Sequence, residues 1–217
     1  MPALLAAGLP PHLALGTNKG QSVFGSGAAL TRYAHAGMID RRRARWEFAA
    51  GFAGSLAGAA LLLVVPPPVL RPVVLVLLIV AAAVLIVRPS AARTRTRSIW
   101  IAVVIALVLG AYDGFFGPGT GTFLILAYVS LFGATLPQAS ADAKVVNFAS
   151  NLAAVALFAT RGTIVWTISL PMAVAQLAGG ALGAHLVVRG GDRVVRPVAL
   201  LVAAGLIAKL AFDLAKG

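Results

Sequence analysis

The side chains with chemistry to offer are two lysines, their amide neighbours and one run of glycines. Lys144, Asn147 and Asn151 stand at i, i+3 and i+7, which places them on one face of a helix. An ammonium beside amide N–H groups on such a face suits a small oxyanion, because charge-assisted hydrogen bonds are the strong ones. Asn18 and Lys19, with Gln21 and Ser22 alongside, present a related set near the amino terminus. Between them lies YDGFFGPGTGT, residues 112–122, where Gly117, Gly119 and Gly121 permit positive φ and Pro118 removes a backbone donor. A helix has to break there. The half-helix that restarts near Thr120 would present free N–H groups and the positive end of its dipole, a natural place for an anion. The expected substrate contacts are therefore Gly117, Gly119, Thr120, Gly121, Thr122, Lys144, Asn147, Asn151, Asn18 and Lys19.

Each of these has a plainer reading. A lysine at the centre of a membrane helix costs roughly 2.5–3.5 kcal/mol, and snorkelling to the headgroups would relieve it. The glycine run could be a structural kink. Asp113, next to the break, is a candidate carrier of a coupling proton, since intramembrane carboxylates mark proton relays; it could equally cap the next turn or pair with a lysine. Asp142 stands two positions before Lys144, off its helical face, so a membrane-surface role is expected. His12, His35 and His185 lack ligand spacing and no metal is inferred. There are no cysteines, which removes disulfides and thiolate chemistry. No cofactor is expected. The GPGTG run follows no strand and leads to no acidic residue in a βαβ unit, so a dinucleotide-binding reading fails. No nucleophile, base and orienter stand together, and an enzyme is not expected.

The elements that must hold these residues are membrane helices. Of 217 residues 60% are hydrophobic and 11% charged, against about 45–50% and about 25% in soluble domains. Apolar runs recur at Phe48–Val65, Val73–Val87, Ile99–Gly110, Thr122–Phe132, Leu152–Ala159, Ile164–Val188 and Val198–Phe212, several near the roughly 20 residues of a spanning helix. The net charge of +12 sits in connections, not on an amphipathic face, which argues against nucleic acid. Arg41, Arg42, Arg43 and Arg45, and Arg88, Arg93, Arg95 and Arg97, mark two cytoplasmic loops. Trp46, Trp100 and Trp166 fall near helix ends, as in interfacial belts. The amino terminus has no basic n-region and is interrupted by prolines, unlike a signal peptide.

A gap-free internal match appears at an offset of 125 residues. Gly8 falls on Gly133, Lys19 on Lys144, Gly37 on Gly162, Gly54 on Gly179, Gly58 on Gly183, and Arg71-Pro72-Val73 on Arg196-Pro197-Val198. Residues 98–125 would need partners before Met1. The expected organisation is a shortened first repeat, 1–92, a basic loop at 93–97 within 88–98, and a complete second repeat, 98–217. Each repeat contains a polar-tinged helix (about Pro11–Ala36 and Pro137–Thr160), a small-residue helix (about Trp46–Val65 and Ile164–Val188) and a closing helix (about Pro72–Val87 and Pro197–Ala215). Gly51, Gly54, Gly58, Gly179 and Gly183 are expected to let neighbouring backbones approach closely. If Ile99–Phe132 is a re-entrant hairpin the halves are inverted; if it spans, they are parallel. The positive-inside count is the same for both, and two short arms around Gly-Pro-Gly favour the hairpin.

At this point AYDGFFGPGTGTFLILAYV followed by QASADAKVVNFASN resembles the sulfite exporter TauE/SafE family of membrane transporters, and ALGTNKGQ looks like the same family's first-half version of the lysine-bearing helix. The likeness covers essentially the whole chain. It implies two related halves and movement of sulfite, organosulfonates or other small anions. The departure from the family pattern is the first-half glycine-rich element, usually placed before the stretch resembling MPALLAAGLPPHLALGTNKGQ. A shortened paralogue and a reading frame that begins further upstream both account for it.

The expectation is thus an all-α, polytopic transmembrane bundle of two homologous, inverted repeats in the inner or plasma membrane, carrying a small anion such as sulfite or an organosulfonate. Its partners are the lipid bilayer and that oxyanion, not nucleic acid; a homo-oligomer is left open. The alternative is a non-transporting membrane scaffold or an inactive paralogue.

Overall fold

The computed structural model of the chain describes residues 2–66 and 96–191, with single positions at 68, 69, 73, 76 and 193. Seven helices lie among these residues, and no strand. In order they are α1 (Pro2–Ala6), α2 (Pro11–His35), α3 (Arg41–Val64), α4 (Ile99–Phe115), α5 (Thr120–Phe132), α6 (Leu136–Thr160) and α7 (Trp166–Gly190). By length and composition α3, α6 and α7 can each cross a membrane. The sequence-expected closing helices Pro72–Val87 and Pro197–Ala215, most of the basic loop and the Arg-Pro-Val match lie outside the described residues, single positions apart.

Local signals set the limits of these helices. Pro11 opens α2 and Pro137 stands in the first turn of α6, where a missing N–H costs nothing. Asp40 caps α3 by accepting from the backbone N–H of Arg42 and Arg43 at 3.0 and 3.3 Å. Thr135 Oγ1 caps α6 by accepting from Gln138 N at 3.4 Å. The limits recur at the sequence offset: Pro11–His35 maps onto Leu136–Thr160, and Arg41 onto Trp166. Gly8 and Gly133, and Gly37 and Gly162, all have positive φ.

Contacts fix the directions in which the helices run. α2 runs alongside α7 in the same sense, with Gly20 against Ser169, Gly25 against Gln176, and Arg32 Nη2 2.7 Å from His185 Nδ1. α3 runs in the same sense as α6, with Gly51 against Val146 and Ser55 Oγ donating to Ser150 O at 2.6 Å. α2 and α6 meet head to tail, since Lys19 reaches Asn151, Gly27 faces Phe148, and Gln138 Nε2 donates to Met38 O.

The small-residue helices behave unequally. Gly54 and Gly58 of α3 lie directly on the backbone carbonyls of Leu107 and Ala111 in α4, and Gly110 and Gly114 of α4 return the contact at Gly51 and Ser55. Any side chain at these positions would collide with backbone. For Gly179 and Gly183 the same role is not seen among the described residues: a Cβ at either would meet none of them within 4 Å, and both border a cavity. In α7 the close approach is made by Gly180, on the backbone of Gly25.

α4 and α5 fold back on one another. Thr96 N donates to Leu131 O at 2.9 Å at the open end, and near the turn Tyr112 OH donates to Pro118 O at 2.7 Å while its ring lies 5.7 Å from that of Phe123. The break is narrower than the sequence implies. Helix continues past Asp113 and Gly114 to Phe115, because Gly114 is clamped against Ser55. Gly117 and Gly119 take φ of +93° and +85°, whereas Gly121 is already helical, a correction to its expected role in the turn. Phe116 is fully buried with Leu15, Leu62, Phe158 and Ile164.

Candidate functional site

A cavity of about 730 Å³ lies between α2, the α4–α5 turn, α6 and α7. Asn18 and Lys19, Gly117, Thr120 and Gly121, and Lys144, Asn147 and Asn151 all line it, as does Asp113. Gly119 and Thr122 do not. Gly119 forms the left-handed cap of α5, and the Thr122 N–H is spent on Gly119 O at 2.9 Å. Thr120 also spends its donors inside the turn, its N–H and its hydroxyl both going to Gly117 O at 3.2 and 2.7 Å. The half-helix therefore offers fewer free N–H groups than its sequence implies. Gly121, whose Cβ would stand 3.2 Å from Asn147 Nδ2, has no backbone acceptor for its N–H among the described residues.

Lys19 is buried in a network. Its Nζ lies 2.8 Å from Asp113 Oδ2 and donates to Asn151 Oδ1 at 3.0 Å. Asn151 Nδ2 donates to Ser26 Oγ at 3.3 Å. The Ser150 hydroxyl donates to Asp113. One ion pair thus joins α2, α4 and α6. Among the described residues Lys144 makes no hydrogen bond or ion pair. With two ammoniums and one carboxylate in its wall, the cavity carries one unbalanced positive charge, and such a field draws anions.

Ser26 and Gln176 also line the cavity and escaped the sequence reading. Ser26 is the counterpart of Asn151 at the offset of 125, so the repeat register held the signal. Gln176 had only its own polarity in an apolar run to mark it.

Asp142, expected in a membrane-surface role, lies inside the bundle near the start of α6. It is 2% exposed, pairs with Arg43 of α3 and accepts from Gln138 Nε2 at 3.3 Å. Helix spacing predicts only neighbours on the same helix, and its partner comes from another. Trp46, Trp100 and Trp166 are exposed near the starts of α3, α4 and α7.

A family model described as Sulfite exporter TauE/SafE matches residues 1–210. The chain is 34% identical over 217 residues to a probable membrane transporter protein of Haemophilus influenzae, covering 98% of this chain and 85% of that one. It is 35% identical to the probable membrane transporter protein YfcA of Escherichia coli strain K12, covering 98% and 81%. It is 34% identical to the probable membrane transporter protein ORF9 of a Sinorhizobium species, covering 98% and 83%. No solved structure matches.

Proposed function

The chain belongs to the sulfite exporter TauE/SafE family, a family of membrane transporters and not of enzymes, and from that premise we propose that it carries a small anion such as sulfite or an organosulfonate across the cell membrane. The observation that carries this reading is the Lys144 ammonium, which faces the cavity with no hydrogen bond or ion pair among the described residues while Lys19 nearby is paired with Asp113. A partly buried cation without a counter-ion is costly unless a ligand supplies one. Asn147 and Gly121 line the same cavity and would supply amide donors for an oxyanion. At about 730 Å³ the cavity also has room for the organic part of a sulfonate.

The two halves, taken as 1–92 and 98–217 with a basic cytoplasmic loop between, are read as inverted repeats around a re-entrant α4–α5 hairpin. Supporting this, α2 and α6 correspond in sequence but meet head to tail, and the two ends of the hairpin are joined by the Thr96–Leu131 hydrogen bond. Inverted repeats with broken helices place the substrate at their interface, where Lys19, Asn151 and the glycine turn converge.

The test is flux of sulfite, and separately of a short alkyl sulfonate, into vesicles containing the reconstituted chain. Transport is expected for at least one of them, and to be lost in Lys144→Gln and reduced in Asn147→Ala. Unchanged flux in both variants discards this site.

A further inference from the structure

The end of the bundle where α3 and α6 begin holds a second charged cluster, which the anion site does not use. Arg43, in the first turn of α3, pairs with Asp142 of α6. Its Nε lies 3.1 Å from Oε1 of Glu47, one turn further along α3, but makes no aligned hydrogen bond. Glu47, 1% exposed, is also held by the Tyr128 hydroxyl of α5, which donates to Oε1 at 3.0 Å. Arg43 also lies over the Tyr128 and Phe132 rings, 5.4 and 5.3 Å from their centroids. The titratable and charged groups that face Glu47 are thus Arg43 on its own helix, Tyr128 on α5 and Asp142 on α6, with Asp40 at the cap of α3 next to Asp142.

Two buried carboxylates share one partly exposed guanidinium, and among the described residues of the cluster one negative charge is left over. An uncompensated buried charge is strongly disfavoured, and the smallest ligand that removes it is a proton. We propose that Glu47 binds and releases one proton within this cluster and that this proton is the coupling ion of the carrier. Asp113 differs in its partners: it is paired with Lys19 and receives the Ser150 hydroxyl. The cluster is mechanically connected to the anion site. Tyr128 rides on the hairpin arm that begins at the glycine turn, and Asp142 precedes Lys144 by two residues on α6. Protonation of Glu47 weakens what holds Tyr128 and frees Arg43 for Asp142 alone. That shifts α5 against α3, and with it the turn that lines the cavity. By linkage, anion binding must alter proton affinity to the same extent.

The coupling claim rests on the transport reading; the proton site does not, and the experiment separates them. Infrared difference spectra of the chain in lipid bilayers, titrated from about pH 5 to about pH 8, read protonated carboxyl groups directly and need no substrate. The expected result is a carboxylic-acid band that titrates in the wild type and is absent in Glu47→Gln. In Tyr128→Phe it persists to higher pH, because the carboxylate has lost a donor to its charged form. A band that survives Glu47→Gln, or no titrating carboxyl in the wild type, overturns the proton site. Should Glu47→Gln fail to assemble, Tyr128→Phe decides alone, and an unmoved titration overturns it. In the same vesicles, sulfite uptake driven by a pH gradient is expected to be lost in Glu47→Gln while sulfite exchange between equal pools persists. Gradient-driven uptake that survives the substitution overturns the coupling role. A wild type that moves no sulfite counts against the substrate reading only, and the infrared titration still decides the site.

Discussion

In α2 the Lys19 ammonium lies 2.8 Å from Asp113 and bonds Asn151; in α6 the Lys144 ammonium, one repeat later, faces the cavity with no partner among the described residues. The residue type and the depth along the helix are the same. The difference is the hairpin turn, which sets the Asp113 carboxylate within ion-pair distance of the first lysine and, among the described residues, sets none that close to the second. A fold that must hold two cations among apolar helices has fixed one with a counter-ion, and in the proposed function the other is the one that meets a ligand. Position in a repeat therefore predicts that a charge is kept, and the tertiary neighbours decide whether it is structural or available.

Several substitutions would break that contrast or sharpen it. The largest effect is expected for Asp113→Asn, which leaves Lys19 buried without its counter-ion and should cost about 3–5 kcal/mol, read as a fall in thermal unfolding temperature in detergent. Adding Lys19→Gln should restore most of it; a single variant as stable as the wild type would mean that the pair is not structural. Asn151→Ala removes a hydrogen bond to a charged group and is expected to cost about 1.5–3 kcal/mol by the same measurement. Gly117→Ala places a Cβ at a φ of +93° and 3.2 Å from Asp113 Oδ1, so about 1–2 kcal/mol of backbone strain is expected, with slower anion flux. The smallest loss of stability belongs to Lys144→Gln, which removes a partly buried cation held by no ion pair and should leave the protein at least as stable, although flux should vanish. If Lys144→Gln destabilises as much as Asp113→Asn, the two lysines are not different in kind.

Much of this was readable from the chain. The i, i+3, i+7 face of Lys144, Asn147 and Asn151 needs only helical geometry, and the glycine break follows from backbone sterics at Gly117 and Gly119. The helix limits follow from Pro11, Asp40, Thr135 and the repeat. What escaped depends on contacts between distant segments. The sequence offered Asp113 a lysine partner without saying which one, and nothing near Asp142 points to Arg43. The spare donors of the half-helix were overcounted because Thr120 turns its hydroxyl back on Gly117 O. Gly179 and Gly183 have the same spacing as Gly54 and Gly58, so spacing could not say that one pair meets a backbone and the other an open cavity.

The contact of α3 with α4 has a mechanical consequence. Where Gly54, Gly58, Gly110 and Gly114 bring main chain onto main chain, there are no side chains whose rotamers could yield, and sliding by one residue would drive a Cβ into a carbonyl. These two helices therefore act as a single rigid beam. Any rocking that opens the protein first to one face of the membrane and then to the other has to hinge elsewhere, along the polar seam of α2 and α6, where hydrogen bonds can be exchanged at little cost.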